Sequence, residues 1–274
     1  VGKLFRLGMT LLAIGLLMTG CKIVHKSEDP AAQIKPEEQQ QYASGKPSPK
    51  INPLLSQEES DKLSKIENKH IVYKGPKGKK VVALTFDDGP DPQFTPQILD
   101  ILRQYNVKAT FFVLGQRVQT YPHLAKQEVD EGHVVASHSW EHKYLPNHTP
   151  EALKEDLKKT KDAIKTATGK NILMLRPPYG AAEGIQESLK KEGYMIINWD
   201  VDTLDWEPGR TPQQIMDVIQ KQTSEGSIIL FHDAGGNRST TVAILPKVIE
   251  TLKQQGYQFV TMDQLLGVRA FHNE

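Results

Sequence analysis

"ALTFDDGPDP", Ala83 to Pro92, is the stretch from which the fold can be read. The apolar run Val81-Val82-Ala83-Leu84 reads as a buried strand, and it ends in two adjacent carboxylates, Asp87 and Asp88, followed by Gly89. Asp-Gly is an ordinary turn signal, and taken alone it would mark a solvated turn. Two neighbouring acids repel each other, which is more than a turn requires. The meaning of the pair depends on what lies at the ends of the other strands.

Outward from this strand, from Ile71 onward, short apolar runs alternate with amphipathic ones. The pattern predicts strands at Val81–Phe86, Ala109–Val113, His133–Ser137, Ile172–Leu175, Met195–Trp199, Ser227–Phe231 and Gln258–Thr261. Helices lie between them. Thr95-Pro96, Thr149-Pro150 and Thr211-Pro212 each pair an N-cap residue with a proline suited to the first helical position. Thr211 with Gln214 fits a capping box. Gly132, Gly169, Gly193 and Gly256 fall where helices should stop. Pro246 should kink the last helix or mark its start. Strand alternating with helix predicts a parallel α/β fold. Seven strands suit a doubly wound sheet or a closed barrel, and periodicity alone does not choose. In both, function gathers at the C-terminal ends of the strands.

The reactive side chains fall there. Asp87 and Asp88 end the first strand, His138 follows the third with His142 four residues on, and Arg176 follows the fourth. Asp202 and Asp205 follow the fifth, and His232-Asp233 ends the sixth. Histidines at i and i+4 share one face of a helical turn and can reach one metal ion. With a carboxylate from another strand end they make a three-ligand site of the catalytic zinc type, with positions open for water and substrate. A hydrolytic metal site needs one acid to hold the ion and another group to take a proton from water. In "RPPYG", Arg176 to Gly180, Pro177-Pro178 makes a stiff, extended exit that can hold a backbone N–H as an oxyanion donor. The remaining histidines read as loop, tail or core residues, with His133 a candidate satisfied buried residue.

The rest of the chain sets limits. It has 274 residues, 38% hydrophobic and 24% charged, with a net charge of +1, enough for a core and a wet surface but with no broad basic field for nucleic acid. Lys3 and Arg6 precede an uncharged apolar run, Leu7 to Met18, that is too short to span a bilayer comfortably. Cys21, the single cysteine, follows directly after Thr19-Gly20 and excludes an internal disulfide. From Lys22 to Lys69 the chain is polar and holds Pro36, Pro47, Pro49 and Pro53, the composition of a linker. Ser56 with Glu59 can cap a short helix within it. The expected organisation is a signal segment over 1–20, a polar or partly helical spacer over 21–70, and a folded unit over 71–274.

Two resemblances bear on these pieces. "LMTGC" resembles a bacterial lipobox, which implies cleavage before Cys21, a lipid on its sulfur, and an exported protein held at the cell membrane facing the wall. The ordered set TFDDG, HSWEH, RPPYG, DTLDW and LFH resembles the five motifs of the carbohydrate esterase family 4 polysaccharide deacetylases, the NodB-homology domain, over roughly residues 75–266. That resemblance implies a distorted (β/α) barrel of about seven parallel strands. It implies zinc, or cobalt or another divalent ion, on Asp88, His138 and His142. It implies Asp87 as catalytic base oriented by Arg176, the Tyr179 N–H as oxyanion donor, and His232 as catalytic acid supported by Asp205, with Asp202 close by. It implies Trp206 and Leu230 as the acetyl pocket. A polymer must lie across such a site, and Tyr144, Tyr179 and Trp206 can stack on it.

The implied reaction is removal of N-acetyl groups from N-acetylglucosamine residues of a wall polysaccharide, peptidoglycan first, by a monomer. The competing readings are an O-acetyl (xylan-type) esterase, a chitooligosaccharide deacetylase, and an inactive glycan-binding lipoprotein.

Overall fold

A computed structural model describes residues 71–272 of the chain. The expected signal segment, Cys21, the linker and its short helix lie outside these residues. Within them the elements are β1 (Ile71–Val72), β2 (Val81–Asp87), α1 (Phe94–Gln104), β3 (Thr110–Val113), α2 (Gly115–Thr120), α3 (Pro122–Asp130), β4 (Val134–Ser137), α4 (Pro150–Thr168), β5 (Met174–Leu175), α5 (Gln186–Lys191), β6 (Met195–Ile197), β7 (Val201–Asp202), α6 (Pro212–Gln222), β8 (Ile228–His232), α7 (Ser239–Gln254), β9 (Gln258–Phe259) and α8 (Met262–Leu266).

The strands form one sheet in the order β1-β6-β5-β4-β3-β2-β8-β7, with β9 pairing to β2. Every ladder is parallel. The row is that of a distorted (β/α) barrel. Among the described residues no ladder joins β1 to β7; the seam there is crossed by an isolated Lys74–Ser227 bridge and by the Gly75 N–H, which donates to the Gly226 carbonyl at 2.8 Å. Two strands beyond the expected seven, β1 and β7, lie at its two ends. Each is two residues long, and each exists through its ladder to a neighbour rather than through any period of its own.

The alternation of β2 places the site. Val82, Leu84 and Phe86 pack outward with Ile98, Leu99, Leu102 and Phe111 beneath the helices. Ala83 faces inward with Phe112, Ala136, Met174, Ile228 and Met262. Because side chains in a strand alternate, Thr85 and Asp87 share the inward face of Ala83. The second apolar cluster, which includes Leu265 and Leu266 of α8, packs this interior. The polar side chains stand above it, at the C-terminal end of β2.

The start signals behave differently at each helix. Thr149 accepts the Ala152 N–H at 3.2 Å, and Thr211 forms a reciprocal box with Gln214. Each cap contributes about 1 kcal/mol. Thr95 does not cap: α1 already starts at Phe94, and Asp91 Oδ1 accepts the N–H groups of Gln93 and Phe94 at 2.8 and 2.9 Å. The Thr95 hydroxyl turns inward to Asp233 instead. Pro246 lies inside α7 rather than at its start. Gly169 ends α4 in the left-handed conformation that a C-terminal glycine supplies.

Candidate active site

The inward face of β2 delivers Asp87 into the barrel mouth, where it meets a buried cation. Arg176 Nη1 lies 2.7 Å from Asp87 Oδ1, with both side chains almost wholly enclosed. A buried ion costs several kcal/mol unless its partners are well placed, and each of the three guanidinium nitrogens of Arg176 has a partner. Nη1 also donates to Thr85 Oγ1 at 2.9 Å, Nη2 to the Asn198 carbonyl at 3.1 Å and Nε to the Ile197 carbonyl at 3.3 Å. Its guanidinium lies 4.1 Å from the centre of the Phe112 ring. Such a network fixes the direction of the Asp87 carboxylate.

Asp88 follows in the left-handed region, at φ 76°. That turn brings the second acid towards the same mouth, where two successive strand residues would point apart. Opposite stand His138 and His142. They come together without a helix. His138 follows β4 and His142 lies within an irregular loop, in which Ser139 and His142 both take positive φ. The expected helical turn is therefore replaced by a tight loop, with ring centroids 4.9 Å apart.

The ligand atoms of Asp88, His138 and His142 all lie within 4.8 Å of one another. Asp88 Oδ1 is 3.5 Å from Nε2 of each histidine and, though buried, has no hydrogen-bond partner. Those separations are too long for good hydrogen bonds. They match the edge of a tetrahedron built on metal–ligand bonds of about 2.0–2.1 Å, which is about 3.4 Å. His138 Nδ1 lies 2.8 Å from the Arg176 carbonyl oxygen, so this nitrogen carries the proton and Nε2 keeps its lone pair for a ligand. Burial pushes the His142 imidazole down to about 4, against the pull of Asp88, so that ring is neutral at ordinary pH. Burial also opposes ionisation of Asp88, but His142, His232, His138 and Arg238 together hold its carboxyl below the usual range. Two imidazoles, one of them held neutral by burial, and one carboxylate with an unpartnered oxygen fit a divalent cation.

His232 ends β8 directly opposite Asp87 in the β2–β8 register. Of the two nearby acids, Asp205 is the one bound to it. Asp205 Oδ1 lies 2.8 Å from His232 Nδ1, and Oδ2 accepts the His232 backbone N–H at 2.9 Å and the Thr241 hydroxyl at 2.6 Å. Asp202 accepts the Leu204 N–H at 2.9 Å and hydrogen-bonds with Trp206. Burial disfavours the charged His232 ring, yet Asp205 outweighs it and the His232 pKa is raised.

The remaining expected residues line the surroundings. Tyr179 takes φ 61°, ψ 10° within a single 3-10 turn, Pro178–Gly180, where a fully extended exit was expected. Its ring meets His142 edge-on at 4.6 Å and lies 6.4 Å from that of Tyr144. Leu230 is buried on β8 in register with Asp202 and Thr85, and Trp206 is half-buried.

The sequence placed Asp233 at a strand end without a role, and Gly235 and Arg238 had no signal of their own. Asp233 is buried beside Asp88, and burial pushes its carboxyl up to about 7. Arg238 donates to the Ala234 and Gly235 carbonyls and reaches the Asp205 carbonyl at 3.4 Å. The loop it ties lies against Asp88. A Cβ on Gly235 would stand 2.3 Å from Asp88 Oδ2, and φ there is +71°, so only glycine fits. His133 behaves as the expected core histidine at Nδ1, which accepts the Ala109 N–H at 3.1 Å, while Nε2 has no partner.

Residues 74–197 match the family model described as "Polysaccharide deacetylase". A "Peptidoglycan-N-acetylglucosamine deacetylase" of Bacillus cereus is 41% identical over 201 residues, covering 72% of this chain and 93% of the relative. The "Peptidoglycan-N-acetylmuramic acid deacetylase PdaC" of Bacillus subtilis is 41% identical over 217 residues, 76% of this chain and 45% of that longer protein. Among solved structures, the Bc1960 peptidoglycan N-acetylglucosamine deacetylase superimposes with a TM-score of 0.72 at 36% identity, covering 76% of this chain and 97% of that one.

Proposed function

Given that the chain belongs to the polysaccharide deacetylase family, we propose that it is a metal-dependent hydrolase that removes N-acetyl groups from N-acetylglucosamine residues of peptidoglycan. One observation carries the reading. Asp87, Asp88, His138, His142 and His232, drawn from three strand ends, converge in one mouth with Arg176 beneath them. A glycan receptor has no use for that complete set.

Asp88, His138 and His142 would hold the ion, zinc by its preference for two imidazoles and a carboxylate. Bound there, a divalent cation lowers the pKa of water and polarises the acetamide carbonyl. Asp87, held at one oxygen by Arg176, accepts the proton of the attacking water at its other oxygen. The Tyr179 N–H donates to the oxygen that becomes negative as the carbonyl is attacked. An amine leaves poorly as an anion, so His232 protonates the sugar nitrogen while Asp205 holds its Nδ1–H. Leu230 and Trp206 shape the space for the acetyl methyl, and Tyr144 and Tyr179 offer faces for the sugars.

The sign of the pH dependence follows from His232. As an acid it must be protonated, and its pKa is raised. The value of kcat/KM is expected to hold below that pKa and to fall as pH rises through it. An Asp205→Asn variant loses the carboxylate that raises the pKa, so this limb should move to lower pH. A limb that stays put in the variant rules out the His232–Asp205 pair as the acid.

Outside residues 71–272 the reading is an exported chain, lipid-anchored through Cys21. A spacer over 21–70 carries a monomeric catalytic unit over 71–274 towards the wall. Mass spectrometry of the mature N-terminus checks the anchor.

The deciding assay is acetate release by zinc-loaded protein from peptidoglycan and from N-acetylated chitooligosaccharides, with a chelator control. Release that the chelator abolishes is the expected result. No release from any acetylated glycan with metal bound overturns the reading. Because the Bacillus subtilis relative is named for muramic acid, the products are assigned as free glucosamine or free muramic acid residues.

A further inference from the structure

The turn that presents the Tyr179 N–H is strained. Tyr179 is a bulky residue at φ 61°, ψ 10°, a conformation that persists only where its surroundings over-determine it. On its upstream side the Pro178 ring fixes the chain. Downstream, the Gly180 N–H donates to the Pro177 carbonyl at 3.0 Å and the Ala181 N–H to the Pro178 carbonyl at 3.1 Å. These bonds are local to the turn and do not tie it to the barrel.

The Tyr179 side chain reaches the His142 loop, its hydroxyl 3.5 Å from the His142 carbonyl, but the backbone of the turn is tied to the barrel by Asn198, which follows β6 and is 1% exposed. Its side-chain Nδ2 donates to the Gly180 carbonyl at 2.9 Å. Its backbone N–H donates to the Val72 carbonyl of β1 at 2.7 Å, and its backbone carbonyl accepts Arg176 Nη2 at 3.1 Å. One residue thus joins the edge strand, the guanidinium that orients Asp87, and the turn that carries Tyr179. The fit is close. A Cβ on Gly180 would stand 3.0 Å from Asn198 Nδ2 and 3.2 Å from the Trp199 ring.

We propose that Asn198 is the positioning residue of the oxyanion-binding turn: its side-chain amide clamps the Gly180 carbonyl and so fixes the Tyr179 peptide for the reaction. The proposal rests on the reading of the Tyr179 N–H as oxyanion donor. A donor of this kind accelerates the reaction only if it is already oriented when charge develops. A clamp on the turn therefore acts on turnover, not on substrate binding.

The test uses zinc-loaded full-length protein. Asn198→Asp keeps the shape of the side chain, but an ionised carboxylate donates nothing and repels the Gly180 oxygen. Asn198→Ser is the second variant; it keeps the backbone bonds to Val72 and Arg176 and loses the reach to Gly180, in case the first does not fold.

On an N-acetylated chitooligosaccharide, kcat should fall about 10- to 100-fold, somewhat less than deleting an oxyanion donor outright costs. KM and zinc affinity should stay within about twofold, the pattern of an interaction made only in the transition state. Amide hydrogen exchange over Tyr179–Ala181 should accelerate in the same variants. Turnover within about twofold of the parent, or a loss that appears in KM with kcat unchanged, overturns the proposal. If the parent itself releases no acetate, the functional reading fails. The exchange measurement then decides Asn198 alone, with unchanged exchange overturning the clamp.

Discussion

An Asp87→Asn enzyme is expected to bind zinc as tightly as the parent and to lose about 10²- to 10⁴-fold in kcat, the usual contribution of a positioned general base. The substitution is nearly isosteric, and an amide oxygen can still accept from Arg176 Nη1, now 2.7 Å from Asp87 Oδ1. The lone pair that would take the proton from water is gone, while Asp88, His138 and His142 are untouched. Arg176 is left as an uncompensated buried cation, so a stability loss of about 3–5 kcal/mol should accompany the kinetic loss. Turnover is therefore measured well below the unfolding midpoint of the variant, with zinc titrated calorimetrically in parallel. An Asp87→Asn protein that turns over at the parental rate would remove Asp87 from the mechanism.

Asp88→Asn should fail in the opposite way, through the metal. Loss of an outer partner of a metal ligand typically costs 10- to 100-fold in affinity, and loss of the anionic ligand itself should cost more. The thermal readout is sharp. At free zinc about 100 times its dissociation constant, the parent gains about 2.7 kcal/mol of stability, and its midpoint rises with zinc concentration. The midpoint of Asp88→Asn should hardly respond over the same range. Zinc dependence equal to that of the parent would displace Asp88 from the metal site.

That the adjacent acids stand at a strand end was legible because each reactive residue type closes an apolar run, while their division into base and metal ligand came only from the family resemblance. That placement is dictated by the parallel α/β pattern and needs no distant contact to read. The elements that escaped are those whose existence depends on distant partners. β1 and β7 are two residues each and have no period to detect; their ladders run to Ile196–Ile197 and Ile229–Leu230. The HSWEH spacing invited a helical turn, yet the two histidines meet through left-handed Ser139 and His142, a conformation the residue types disfavour. Thr95-Pro96 looked like the other two helix starts. Asp91 holds the first N–H groups of that helix, and the Thr95 hydroxyl goes to Asp233. Asn198, Thr241 and Arg238 are ordinary by type and acquire meaning only through bonds that cross the barrel mouth.

The short strands at the barrel seam have a consequence for edge pairing. A long flat sheet edge is a template for pairing with another chain. Here the seven-residue β2 is innermost, with β3, β8 and β9 against it, while the outermost strands are the two-residue β1 and β7. Two residues offer too few backbone groups to recruit a foreign strand. The strand that carries the chemistry is thus also the one least able to seed aggregation.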